Sequence, residues 1–212
     1  MKKTSKVSKV TKIPKVINIC GLEHKIVYPY IFKNDSDLLG LYERAQACIK
    51  ITDMYMNEER PEQGIKETLI HESFHGIDYM VCSNTLDHDI LTDLSIGWYQ
   101  VLKDNNLFSY KSMPKKVRVG GFDYTVEFPY VFEDEDSGWG ETNNNSLNLR
   151  LSDSDTTGKF PDEFIRQQLI YLVTCAIVGV YCSSAFDALL PFGYGVYQVF
   201  KDNKFEKLVK NN

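Results

Sequence analysis

Hydrophobic and polar residues alternate in two short runs near the start of the chain, and the same pattern returns about 100 residues later. The first pair of runs covers residues 16–19 and 25–28, and the second pair covers residues 117–119 and 124–128. Alternation with a period of two is typical of a strand with one buried face, and the glycine between the paired runs favours a tight turn. Each pair of runs therefore predicts a β-hairpin.

A third strand and two helices are predicted after each hairpin. The third strands are expected at residues 47–51 and 146–151, where apolar and polar positions again alternate before an aspartate. Pro61 and Pro161 are each followed by acidic residues, and the first turn of a helix accommodates proline and favours negative charge. The first helices are predicted to run to about Tyr79 and Tyr181, and the second helices to cover residues 88–104 and 186–202.

The two stretches are related by an internal repeat. A shift of 100 residues aligns identical residues from Gly21 and Gly121 to Cys82 and Cys182, and a shift of 98 then aligns the Tyr-Gln-Val and Lys-Asp-Asn segments of the last helices. So many matches in one order indicate a tandem duplication with one two-residue deletion. The predicted ranges are a basic flexible tail (1–14), copy one (15–105), a linker (106–115) and copy two (116–212).

The order of elements in each copy predicts the fold class. Strands come first and helices follow, which is typical of an α+β unit rather than of alternating βαβ units. We therefore predict an α+β protein of two tandem units. Each unit is expected to have a short antiparallel sheet, made of the hairpin plus one strand, packed on two helices.

Composition and charge exclude several classes of protein. Hydrophobic residues make up 43% of the 212 residues and charged residues 25%, which allows a buried core and excludes a mainly disordered, collagen-like or mucin-like chain. The net charge of −5 argues against nucleic-acid binding, which needs a basic surface. No signal peptide or membrane span is predicted, because the most apolar run, residues 169–182, is too short to cross a bilayer. The five cysteines are then expected to be reduced, in the cytoplasm.

The first helix of copy one contains the segment His71-Glu72-Ser73-Phe74-His75, which has the form HExxH. Residues four apart on a helix lie on the same face, so the imidazoles of His71 and His75 can hold one metal ion. Glu72 lies beside that face and can accept a proton from a metal-bound water without binding the metal itself. The spacing predicts a zinc site with His71 and His75 as ligands and Glu72 as the catalytic residue.

Copy two lacks all three of these polar residues. Tyr171, Leu172 and Cys175 stand at the positions that match His71, Glu72 and His75. Surface residues without a common role would not be expected to lose polarity together. Members of one buried polar site would be expected to lose polarity together, because a half-satisfied polar site costs more free energy than an apolar one.

A catalytic zinc site needs a third protein ligand and leaves the fourth position to water. The start of the second helix offers Asp87, His88, Asp89 and Asp93. The inward stripe of this helix, followed back from Leu102 in steps of three and four, reaches His88. In copy two, Phe186 replaces His88, whereas Asp187 keeps the charge of Asp89. His88 is the predicted third ligand, and Asp87 and Asp89 remain alternatives.

The segment ETLIHESFHGIDYM, together with a second helix that ends in GWYQVLKDN, resembles small phage-borne and bacterial zincin-like metallopeptidases of the SprT-like and ImmA/IrrE-like groups. The resemblance covers residues 15–105. It implies a short sheet, an HExxH helix, a second helix that supplies the third ligand, and bound Zn²⁺. Copy two shares the predicted scaffold but lacks the metal motif. Some members of the wider group cleave a regulator or a DNA-bound protein.

Two functions follow from this pattern. In the first, copy one is a zinc-dependent metallopeptidase that hydrolyses a peptide or protein substrate with Glu72 as general base, and copy two is a non-catalytic scaffold. In the second, the chain is a catalytically silent binding protein, for example a phage-encoded inhibitor of a bacterial defence or regulatory protein, with structural or vestigial zinc. Both hypotheses place the protein in the cytoplasm of a bacterial host, without nucleic-acid or membrane partners.

Overall fold

The fold is α+β, with four small sheets and five α-helices in the described residues. Most of the predicted tail (1–11), the middle of the predicted linker (109–111) and the predicted start of the last long helix (186–187) lie outside the described part. The computed structural model describes residues 12–33, 35, 37–108, 112–133, 139–182 and 188–210.

Copy one contains six strands and two helices. The predicted hairpin, third strand and two helices are observed, and three further short strands are present that the hydrophobic pattern did not indicate. The elements are β1 (Val16–Ile19), β2 (Leu22–Val27), β3 (Gly40–Glu43), β4 (Cys48–Ile51), β5 (Met54–Tyr55), β6 (Glu58–Glu59), α1 (Glu62–Val81) and α2 (His88–Asp104). A single 3-10 turn, Arg44–Gln46, joins β3 to β4.

Copy two repeats this order of elements. A short C-terminal helix follows the repeated part of the chain. The elements are β7 (Lys116–Val119), β8 (Phe122–Glu127), β9 (Gly140–Asn143), β10 (Asn148–Leu151), β11 (Ser154–Asp155), β12 (Gly158–Lys159), α3 (Asp162–Tyr181), α4 (Leu189–Asp202) and α5 (Phe205–Lys210).

The two four-stranded sheets are mixed, which corrects the predicted antiparallel arrangement. Their strand orders are β1-β2-β4-β3 and β7-β8-β10-β9. The pairs β2–β4 and β8–β10 are parallel, and the other neighbours are antiparallel. The physical reason is the edge strand β3, which was not predicted. It runs opposite to β2 at the far edge of the sheet. The chain then turns back, so β4 lies between β2 and β3 and runs in the direction of β2.

The second helix of each copy is hydrogen-bonded to the first strand of the other copy. Gln198 on α4 accepts from the Cys20 N–H at 2.6 Å, and Asn203, the residue directly after α4, accepts from the Asn18 N–H at 2.7 Å. In the same way, Gln100 on α2 accepts from the Gly120 N–H and Asn105, directly after α2, accepts from the Arg118 N–H, both at 2.8 Å. The repeated Tyr-Gln-Val and Lys-Asp-Asn segments therefore form a reciprocal clamp between the copies.

The helices of the two copies cross closely at glycines, and the two copies share one hydrophobic core. Gly97 on α2 faces Ile177 on α3, and Gly195 on α4 faces Ile77 on α1. A methyl group at either glycine would lie less than 3.0 Å from the facing isoleucine. Glycine is therefore required at both crossings by the close approach of the helices rather than by backbone conformation.

Helix α3 is the one described helix that is long and apolar enough to cross a membrane by length and composition. However, 56% of that stretch is buried inside the protein. Its neighbours are α4, α2 and strands of the second sheet. A helix with such packing is compatible with the prediction of a buried core helix.

Substitution of Gly97 or Gly195 by alanine should lower the free energy of unfolding by about 1–3 kcal/mol, because the added methyl group overpacks the helix crossing. Gly64 in α1 is the matched control. A methyl group there would make ordinary contacts, the nearest at 3.7 Å, so Gly64→Ala should stabilise the helix by up to about 1 kcal/mol. Denaturant unfolding of the three variants measures both effects. Equal changes at all three glycines would contradict the described crossings.

Candidate metal centre

Three histidines meet at one end of the α1–α2 pair. The Nε2 atom of His71 lies 3.1 Å from that of His75 and 3.3 Å from that of His88. The candidate ligand nitrogens of the three residues all lie within 4.8 Å of one another. This is the one cluster of at least three potential metal ligands found among the described residues.

Local helix geometry explains how the cluster forms. His71 and His75 are four residues apart on α1, so their rings lie one above the other on the same face. His88 is the first residue of α2 and reaches the cluster from the other helix. The first two rings are half-buried and the third is exposed, which leaves one side of the cluster open to solvent.

The distances between the nitrogens fit a tetrahedral zinc ion. Ligand nitrogens at about 2.0–2.1 Å from zinc lie about 3.3–3.4 Å apart when the angles are tetrahedral. The Nε2 pairs of His71 with His75 and with His88 are within a few tenths of an ångström of this separation. The three imidazoles could therefore hold Zn²⁺ and leave a fourth position on the open side.

The environment of the rings keeps the two α1 histidines neutral, which is the form that binds metal. Burial, together with the neighbouring His75 and His88, lowers the pKa of His71 to about 4. Burial, followed by the effect of His88, also lowers the pKa of His75. Both rings are therefore deprotonated near pH 7, and a metal ion would not have to displace a proton from them.

Glu72 lies beside the cluster, buried between α1 and the edge strand β3. Its side chain is 6% exposed, and a methyl group built on Gly40 of β3 would lie 2.5 Å from its Oε1 atom. The carboxylate accepts a hydrogen bond from the Tyr42 N–H, which lowers its pKa, but burial dominates and raises the pKa of Glu72 to about 8. Gly40 thus leaves the space that the carboxylate occupies.

Two polar contacts that the sequence pattern did not assign hold the helices of the site together. The Ser95 hydroxyl on α2 donates to Oε1 of Glu67 on α1 at 2.5 Å. Oδ1 of Asp78 accepts from the Thr85 and Leu86 N–H groups at 3.1 and 3.2 Å. In the sequence, the first contact is signalled by Ser95, a polar residue in the inward stripe of α2.

The described side-chain contacts of Asp78 lie in the loop that follows α1. Three residues after His75, Asp78 is placed where an acid could orient a ligand ring. Instead, its buried carboxylate fastens the loop that connects α1 to α2. That loop leads directly into His88, so the acid acts on the position of the third histidine rather than on an imidazole.

The alternatives to His88 are not part of the cluster. Asp87 precedes α2 as its N-cap residue, and Asp89 is an exposed acid of the first turn. The described group of potential ligands contains His88 and neither aspartate. This arrangement favours His88, as the phase of the inward stripe predicts.

Copy two fills the matching space with other side chains. Tyr171 packs on Gly193, where copy one has Ser95, and Leu172 packs on Gly140 as Glu72 packs on Gly40. The side chains of Tyr171 and Cys175 share a hydrogen bond. Phe186, the match of His88, lies outside the described residues. Tyr171 and Cys175 thus bond to each other, and Leu172 packs on β9, in the place of two imidazoles and a carboxylate.

A cleft opens from the cluster along the edge strand. It has a volume of about 230 Å³. His75 links it to the histidine cluster, and β3 forms one wall with Leu41 and Tyr42. The remaining lining residues are Arg44, Tyr79 and Asn84. The cleft therefore borders the cluster at His75, the one histidine of the three among its described lining residues.

Comparison with protein-family models, curated proteins and solved structures finds no match to this chain. Any function must therefore be inferred from the residues and their geometry. The three converging imidazoles, the buried Glu72 and the loss of all of these groups from the described part of copy two are the observations available for that inference.

Proposed function

We propose that copy one is a zinc-dependent, zincin-like peptidase and that copy two is a non-catalytic scaffold. The observation that carries the proposal is the convergence of three imidazoles, from two helices, at separations that suit one zinc ion. His71, His75 and His88 would hold the metal. The buried acid next to His71 in the chain, Glu72, supports a hydrolytic role.

The proposed chemistry divides between the metal and Glu72. Zinc, when bound, would polarise the carbonyl of the scissile peptide bond and make water more acidic. Glu72 would accept a proton from the attacking water and pass it to the leaving amine. A divalent cation nearby favours the ionised carboxylate and so opposes the effect of burial on the pKa of Glu72.

Copy two supports this site through the reciprocal clamp. Gln198 of α4 and Asn203 directly after it bind N–H groups at the end of β1. Phe192 and Phe200 of α4 pack against Phe74 inside the HExxH segment. A scaffold role thus needs no chemistry in copy two. The substrate would be a peptide or protein in the cytoplasm of a bacterial host.

A second candidate function, a silent binding protein, is favoured by an exposed apolar surface on copy one. Ile31, Leu38, Met54 and Met56 line one groove of about 230 Å³ and are between 37% and 75% exposed. The segment Met54-Tyr55-Met56 is matched by Ser154-Asp155-Thr156 in copy two. At this segment the exposed apolar residues occur in copy one alone, and such a surface suits a protein partner. A host regulatory or defence protein would then be the ligand.

Metal analysis combined with a hydrolysis assay tests the proposal. The purified full-length chain should contain one zinc ion, and a pooled library of short fluorogenic peptides should be cleaved by the zinc-loaded chain. Removal of zinc with a chelator should stop cleavage, and added zinc should restore it. A folded chain that binds no zinc would overturn the proposal. Stoichiometric zinc without cleavage of any peptide would favour the binding protein.

Substitution of Asp78 by alanine should lower the zinc affinity by about tenfold, within the range known for residues that orient ligands from outside the site. Loss of the carboxylate leaves the Thr85 and Leu86 N–H groups without their acceptor, so the loop before His88 should loosen. Competition with a zinc-chelating dye measures the affinity. Asp89→Ala is the matched control, because it removes an exposed acid of the same helix junction and should leave the affinity unchanged. Equal losses in both variants would contradict the role of the loop.

A further inference from the structure

The cleft beside His75 contains one cation and no acid among its described lining residues. Arg44, from the 3-10 turn after β3, places its guanidinium carbon 4.0 Å from the centre of the Tyr79 ring. The side chain is exposed, and no described carboxylate forms a salt bridge with it. Glu43, the neighbour of Arg44, is paired instead with Lys50.

Stacking on Tyr79 prepares Arg44 to bind an anion. A guanidinium stacked on an aromatic ring keeps its N–H edge available, while the ring limits the rotamers of the long side chain. The planar N–H fork matches a carboxylate in two parallel hydrogen bonds. Asn84, also in the cleft lining, adds an amide that can donate to the same group.

The stacked arginine is confined to the copy that has the histidines. Asn144 and Gly179 stand where copy one has Arg44 and Tyr79. The Asn144 side chain packs directly on Gly179 and accepts a hydrogen bond from the Tyr124 hydroxyl at 2.9 Å. Copy two thus fills this position with a neutral, internally bonded side chain. Copy one thus has both the arginine and the three histidines, and copy two has neither at the matching positions.

We propose that Arg44 binds a carboxylate of the substrate, so that copy one prefers peptides with a negative charge close to the hydrolysed bond. This inference rests on the proposed peptidase function. His75 and Tyr79 are one helical turn apart, or about 5–6 Å between their Cβ atoms. An extended peptide spans about 3.3 Å per residue. From this spacing we expect the carboxylate about two residues from the hydrolysed peptide bond. It would belong to an acidic side chain or to a free C-terminus.

Peptide hydroxamates test this preference without hydrolysis, because the hydroxamate binds zinc and the peptide lies in the cleft. The zinc-loaded full-length chain is titrated with labelled probes that carry Glu or Gln two residues from the hydroxamate, on either side of it. The Glu probe should bind about tenfold more tightly than the Gln probe on one side. A further pair that ends in a free carboxylate or an amide distinguishes a C-terminus from an acidic side chain.

Arg44→Gln should remove the advantage of the Glu probe and leave the affinity for the Gln probe unchanged. Arg44→Glu should instead favour a Lys probe. Lys25→Gln, which removes an exposed cation of β2 that forms no described salt bridge, is the matched control and should keep the wild-type preference. If no hydroxamate binds the chain, the proposed function fails and this inference falls with it. If hydroxamates bind but carboxylate and amide probes bind equally, or if Arg44→Gln weakens all probes alike, only the inference about Arg44 is overturned.

Discussion

Glu72→Gln should lower the rate of peptide hydrolysis by about 10³-fold, in line with the loss of a general base, and leave one zinc ion bound per chain. Glutamine has the shape of glutamate, so it fits the buried space beside Gly40 and still offers an oxygen to the Tyr42 N–H. It cannot accept a proton from water. The measurements are kcat/KM with a cleaved peptide from the library and the zinc content of the same preparation.

Glu67→Gln is the matched control for this experiment. Glu67 is another glutamate of α1, its pKa is also raised by burial, and it accepts a hydrogen bond from Ser95 that glutamine can accept equally. This variant should keep activity within about threefold of wild type. If Glu72→Gln retains full activity, Glu72 is not the general base. If wild type is inactive and Glu72→Gln leaves partner binding and phenotype unchanged, the binding-protein hypothesis is favoured.

The repeat predicted most elements of the fold because the strands and helices of both copies are encoded locally. Alternation and helix-start signals are properties of short segments, and they located both hairpins, the third strands and both first helices. The edge strand β3 was missed because Gly40–Glu43 has neither regular alternation nor a buried position. Without β3, the direction of β4 relative to β2 was predicted wrongly.

The packing between the copies depends on contacts distant in sequence. Gln198 and Asn203 contact strand β1, about 180 residues earlier in the chain. A helical pattern indicates which face of α4 is buried but not which sheet covers it. The repeated Tyr-Gln-Val and Lys-Asp-Asn segments identified the residues, and only the structure shows that each set binds the opposite copy.

The candidate site also depends partly on contacts close in sequence and partly on contacts distant in sequence. His71 and His75 are brought together by the helix alone, and the phase of the α2 stripe predicted that His88 faces α1, where its ring lies beside that of His71. The fit of Glu72 to Gly40 and the stacking of Arg44 on Tyr79 both depend on the β3 region. The loss of polarity in copy two indicated that the acid is buried, but without β3 neither the strand that buries it nor the cleft could be inferred from the sequence.

Replacement of His71 or His75 by alanine should lower the zinc affinity by about 10³-fold, because one of three protein ligands is lost from a site whose total binding energy is shared by few groups. His88→Ala should have a similar effect, whereas Asp87→Asn and Asp89→Asn should not. His24→Gln is the matched histidine control, since His24 is buried and bonded to Leu22 and Tyr42 at another place in the sheet. Dye competition measures each affinity.

Thermal stability gives a second measurement of the same prediction that needs no substrate. A ligand that binds only the folded chain stabilises it by about 2.7 kcal/mol when its concentration is 100 times Kd. Zinc should therefore raise the Tm of wild type and of His24→Gln, and it should not raise the Tm of His71→Ala at the same zinc concentration. If zinc raises all Tm values equally, the ion binds elsewhere and the three imidazoles are not its ligands. If His88→Ala keeps its response while Asp89→Asn loses it, the third ligand is the aspartate and the approach of α2 to the site must differ from the one described.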